Sequence, residues 1–139
     1  MIKRIIPILI LQFVIAGTPQ FGDKQIVIML KEYFHADQNA PELIGQRFYL
    51  NRGEMVIQLE VDATAQNVNE TLLFGFKAMS QIANISKTDF TQSILVLHFR
   101  GNILPSVAKS DIQCSKDFFI NHTINENKWR KDCLIIGGN

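Results

Sequence analysis

The sequence predicts an α+β fold: a two-layer sandwich in which a four-stranded, largely antiparallel sheet packs against helices in the order α-ββ-α-ββ-α-α. Three observations carry this expectation. Residues 54–62 alternate, with Met55, Ile57, Leu59 and Val61 on one side and Glu54, Gln58, Glu60 and Asp62 on the other. A period of two with one polar side means a strand in a sheet covered on one face only. Over residues 65–85 the apolar positions Val68, Leu72, Phe76, Met79 and Ala83 recur at helical spacing, and such a helix supplies the cover. Residues 93–100 are apolar on both faces until His98, the pattern of a strand in the middle of a sheet.

Taken in chain order, residues 23–34 come first. Ile26, Val27, Leu30, Tyr33 and Phe34 form one helical stripe, and Lys24, Lys31, Glu32 and His35 lie outside it. The block from Ile26 to Leu30 also fits a strand. Pro41 cannot continue a helix, so residues 39–42 form a loop. Strands over 46–50 and 54–61 flank Asn51-Arg52-Gly53, which has the chemistry of a hairpin turn. The long helix over 65–85 and the strand over 93–100 follow. Gly101-Asn102 turns the chain into a fourth strand over 103–109, which Pro105 marks as an edge. Residues 110–119 and 126–135 read as two short helices around Asn121-His122-Thr123, and Gly137-Gly138 as a frayed tail.

Residues 1–16 stand apart. Met1-Ile2-Lys3-Arg4 is a short basic start, an apolar run extends to Ile15, and the small residues Ala16 and Gly17 follow. This is the layout of a secretory signal peptide, with cleavage expected after Ala16. The alternative is a membrane anchor through residues 5–17, but Pro7 and Gln12 interrupt a run already shorter than the roughly 20 residues a spanning helix needs. Residues 17–139 then form a single α+β domain. Without Lys3 and Arg4 the 14 basic residues become 12 against 13 acidic ones, a net charge of −1. Its basic residues are scattered, which argues against a nucleic-acid partner. A membrane partner is expected only if the first segment stays attached.

Cys114 and Cys133 are the only cysteines. In an exported chain an even, low count reads as a disulfide. The functional alternatives are a redox pair, which would favour Cys-x-x-Cys spacing, and a metal site with His122, which lacks a convincing fourth ligand. The sequence therefore implies neither a metal nor a cofactor. No glycine-rich nucleotide loop, Gly-x-Ser-x-Gly elbow or His-Glu-x-x-His motif occurs.

The catalytic candidates are His98, Glu60 and Asp62. If the strand carrying His98 and Arg100 pairs with residues 54–61, both side chains meet Glu60 or Asp62 across the sheet. That arrangement is a cross-strand charge pair on a solvated face, or a general acid–base pair if a cleft covers it. The binding candidates are Trp129 with its neighbours Lys128, Arg130 and Lys131. An exposed Trp among cations would suit a partner protein, an anionic headgroup or a glycan; a buried one would pack against the disulfide region. Three Asn-x-Ser/Thr sequons start at Asn69, Asn84 and Asn121, acceptors only in a eukaryotic secretory route. The expectation is a small exported, non-catalytic domain, periplasmic or secreted, that binds another envelope or extracellular protein. The alternatives are a small hydrolase-type enzyme using His98 with Glu60 or Asp62, and a carrier of a small hydrophobic ligand beneath the long helix.

Overall fold

Helix α1 (Asp23–Ala36) leads into the hairpin β1 (Leu43–Asn51) and β2 (Glu54–Ala63). Helix α2 (Val68–Ile85) crosses to β3 (Gln92–Phe99), and β4 (Ser106–Asp111), α3 (Ile112–Phe119), α4 (Glu126–Asp132) and β5 (Leu134–Gly138) complete the order. The computed structural model describes residues 20–101 and 104–138. The export segment, its reading as an anchor, and the turn residue Asn102 lie outside them. The fold is of the predicted class, with a mixed sheet of five strands in the order β1-β2-β3-β4-β5.

Three of the four ladders are antiparallel, and β2 and β3 run parallel. A parallel neighbour requires a crossover, and α2 provides it. Ile57, Leu59 and Val61 of β2 align with Ser93, Leu95 and Leu97 of β3, and all six are buried. Ile26, Leu30 and Phe34 of α1 and Leu72, Phe76 and Met79 of α2 close over them in one apolar cluster. The 26–30 block is thus helical, because its stripe at every third or fourth residue matches a surface to be covered.

Gly75 of α2 packs directly against Leu95 of β3. A Cβ there would lie 2.7 Å from Leu95 Cδ2 and 2.8 Å from its Cδ1. Leu95 is fully buried and has little room to yield. Gly75→Ala gains about 1 kcal/mol of helix propensity and loses about 1–3 kcal/mol to overpacking. The expected net result is a loss of about 1 kcal/mol in urea unfolding; a gain would mean that Leu95 can move.

The C-terminal third differs from expectation in three respects. The predicted helix over 126–135 stops at Asp132, and residues 134–138 form a fifth strand paired antiparallel with β4. Gly137 and Gly138 belong to that strand, opposite Val107 and Ser106, and are no frayed tail. As a result β4 is internal, with β3 on one side and β5 on the other. Pro105 precedes its first paired residue, where no ladder N–H is required, so the edge rule does not apply to it.

Helix α3 starts at Ile112 because Ser110 and Asp111 still pair with Ser93 and Gln92. Asp111 then caps it, accepting a hydrogen bond from the Cys114 N–H at 3.0 Å. Asn125 caps α4 in the same way through the Lys128 N–H. Cys114 and Cys133 pair at disulfide distance, with Cα atoms 5.9 Å apart. The bond joins α3 to the residue immediately before β5.

Candidate functional site: the open face of the sheet

Helices cover one face of the sheet. On the other, alternate residues of each strand point away from the core: Arg47 and Tyr49, then Gln58, Glu60 and Asp62, then Ile94, Val96 and His98, then Val107 and Lys109, and finally Ile135. The apolar residues Ile94, Val96, Val107 and Ile135 among them neither belong to the buried apolar cluster nor pack against it, and Val56, beside Tyr49 on the same face, is 2% exposed.

The predicted cross-strand meeting occurs here. The β2–β3 register places Glu60 opposite Val96 and Asp62 opposite His98. His98 Nε2 lies 2.7 Å from Glu60 Oε1. Arg100 reaches Asp62 at 3.9 Å. Nearby, the Tyr49 hydroxyl donates to Gln58 Oε1 at 2.7 Å, and the Arg47 guanidinium stands 5.0 Å over the Tyr49 ring. Each of these rows exists because the pleat turns every second side chain to the same side.

The geometry is flat. The His98 and Glu60 side chains keep 37% and 29% of their surface in solvent, so water competes for both partners. His98→Ala is accordingly expected to change stability by less than about 1 kcal/mol in denaturant unfolding. A loss several times larger would mean that the pair is structural.

The clefts among the described residues lie away from His98 and Glu60. One of about 650 Å³ opens between the end of α1 and the start of β1, with His35, Asp37 and Glu42 on its rim. A neighbouring one of about 530 Å³ includes Tyr33 and Phe74. Burial raises the Tyr33 phenol above its usual 10.0, helped by the Asp37 carboxylate. An apolar groove of about 430 Å³ runs between α2 and α3, lined by Leu73, Phe74, Phe118 and Phe119. A notch of about 210 Å³ sits on the open face itself, at the β5 edge, among Val107, Lys109, Ile135 and Gly137. His98, Glu60 and Asp62 line none of these. Among the described residues no group of three or more His, Cys, Asp or Glu stands close enough to hold a metal ion, and no helix is long and apolar enough to cross a membrane.

Trp129 is not part of a surface. It is fully buried, with ring centroids of Phe76, Phe118 and Phe119 at 5.1–5.7 Å. Its Nε1–H donates to Ser115 Oγ at 3.0 Å. The binding reading built on an exposed Trp129 is therefore corrected, because this ring is the only apolar side chain in α4 and holds that helix to the core. Lys128 and Lys131 remain in solvent, and Arg130 pairs with Glu126 at 2.9 Å. Asn69, Asn84 and Asn121 are all exposed.

Sequence reasoning missed the β5 edge and its notch. The available signal was the adjacent β-branched pair Ile135-Ile136 beside two glycines. Comparison with protein-family models, with curated proteins and with solved structures finds no match for this chain.

Proposed function

We propose that the chain is a non-catalytic domain of an oxidising compartment, periplasmic or secreted, that binds another envelope or extracellular protein through the open face of its sheet. One observation carries the reading. A face five strands wide is left uncovered by the described helices, and it presents Ile94, Val96 and Val107 framed by the polar side chains of Arg47, Glu60, His98 and Lys109. An apolar centre with a polar rim is the usual anatomy of a protein-binding surface. The cysteine pair and the basic-then-apolar start support the compartment.

The hydrolase reading asks for a cleft over His98 and Glu60 or Asp62 that could hold a substrate against them. These groups stand in the open instead. The carrier reading has the groove at Phe74 and Phe118 in its favour. That groove lies outside the helical layer, whereas beneath α2 Leu95 closes against Gly75. Binding of an environment-sensitive apolar dye, removed by Phe74→Lys, would favour it.

The test is a photo-crosslinking scan in producing cells, with the crosslinker placed at Ile94 or Val96 on the open face and at Ile28 or Lys77 on the helical layer. The expected result is a discrete adduct from the open-face positions only. Adducts from the helical positions alone would reject the assignment of the surface.

A further inference from the structure

The two edges of the sheet are unlike. Strand β1 has a register shift between Leu43 and Gly45 and carries Arg47, devices that keep an edge from pairing. Strand β5 has none. Leu134-Ile135-Ile136-Gly137-Gly138 contains no charge and no proline, and among the described residues nothing pairs with its outer side. Ile135 and Ile136 are 68% and 61% exposed, one on each face of the sheet. An uncharged edge strand with unpaired backbone N–H and C=O groups is a template for another strand.

The notch beside β5 identifies which strand fits. Val107 lies opposite Gly137 and Lys109 opposite Ile135. Because Gly137 has no side chain, the outer flank of Val107 is open, and this is the cavity of about 210 Å³. A strand laid antiparallel on β5 with its own Ile136 opposite Ile136 brings its Ile135 opposite Gly137. The incoming Ile135 then enters the notch against Val107. The same strand supplies a glycine opposite the first copy's Ile135. The knob and the hole are two residues apart on one strand, so the strand is complementary to itself.

We propose that two copies of this chain pair through β5, antiparallel about Ile136, to form one continuous ten-stranded sheet. The two-fold axis runs normal to the sheet, as it must for side-by-side antiparallel strands, and the interface is isologous. Both helical layers therefore fall on one side and both open faces on the other. The rows Val96–Val107–Gly137 and Ile94–Lys109–Ile135 of one copy continue into Ile135–Lys109–Ile94 and Gly137–Val107–Val96 of the other. On the helical side the two Ile136 side chains cover each other. The apolar patch that stops at the sheet edge in one copy becomes the centre of a surface twice as wide.

Sedimentation equilibrium on the chain, purified in the form the cell yields, tests this without any partner. The wild type is expected to dimerise reversibly. Gly137→Val fills the notch, and since a Cβ there meets nothing within 4 Å, the single chain keeps its fold while the dissociation constant rises about tenfold or more. Ile136→Lys places two ammonium groups face to face and is expected to abolish the dimer. Ile136→Cys is expected to give a covalent dimer on oxidation, because the two Cα atoms come within disulfide reach. A wild type still monomeric at about 100 μM, a dimer indifferent to Gly137→Val, or an Ile136→Cys chain that does not crosslink overturns the proposal. A monomer that keeps its open-face adduct would remove β5 pairing and leave the partner surface in place.

Discussion

Trp129→Ala is expected to remove about 4 kcal/mol of stability, the range for deleting a large buried aromatic being about 3–5 kcal/mol. The ring is fully buried among Phe76, Phe118 and Phe119 and is the only apolar anchor of α4. Its loss also strips one hydrogen bond from a buried chain in which Trp129 Nε1–H meets Ser115 Oγ and Ser115 Oγ meets Ser110 Oγ at 2.6 Å. Against a typical margin of about 5–15 kcal/mol, that leaves a protein close to the edge of folding. Trp129→Phe keeps most of the volume and is expected to lose about half as much. Urea unfolding followed by far-UV circular dichroism measures both. A loss below about 1 kcal/mol for Trp129→Ala would contradict the burial on which the packing of α4 rests.

Replacing both cysteines with serine, Cys114→Ser with Cys133→Ser, is expected to destabilise the domain by about 3 kcal/mol. The two are 19 residues apart, and closing a loop of that size restricts the unfolded chain by about that amount. The loss should not be uniform. Cys133 is followed directly by Leu134, so the bond ties the start of β5 to α3. Hydrogen exchange in the double variant is therefore expected to accelerate first over residues 134–138, with β2 and β3 still protected. Reductant should produce the same pattern in the wild type and no further change in the variant. Equal acceleration across the whole sheet would mean that β5 does not depend on the clip.

The parts of the fold legible in the sequence are those where one physical demand decides the pattern. Residues 57–62 alternate because one side of β2 meets the core and the other is partly open to water, and the same alternation puts Glu60 and His98 on one face; Val56, apolar and 2% exposed, breaks the pattern on the open side. Helix α2 was readable because 18 residues give a 3.6-residue period room to declare itself. Strand β5 was not. It has five residues, too few to separate a period of two from a helical turn, and it follows a helix without a proline or glycine to mark the change. With β5 unseen, Pro105 stood in as an edge signal for a strand that is internal.

The candidate site shows the same division. The meeting of His98 with Glu60 follows from register and pleat, which local pattern encodes. Whether that pair sits in a cleft depends on the placement of α1 and α2 far away in sequence, and no local pattern carries it. Trp129 illustrates the converse. Three neighbouring cations suggest a surface, yet a short helix with a single apolar residue has nothing else with which to hold the core. The charges were local; the burial was the requirement of the whole element.

A disulfide clip and a domain that binds an envelope or extracellular protein both presuppose export. Mass spectrometry of the cellular product, with free thiols alkylated before lysis, tests this directly. The expected product lies outside the cytosol, begins at Gly17, and takes up no alkylating agent at Cys114 or Cys133 until it is reduced. A full-length chain in the cytosol with both thiols alkylated would contradict it.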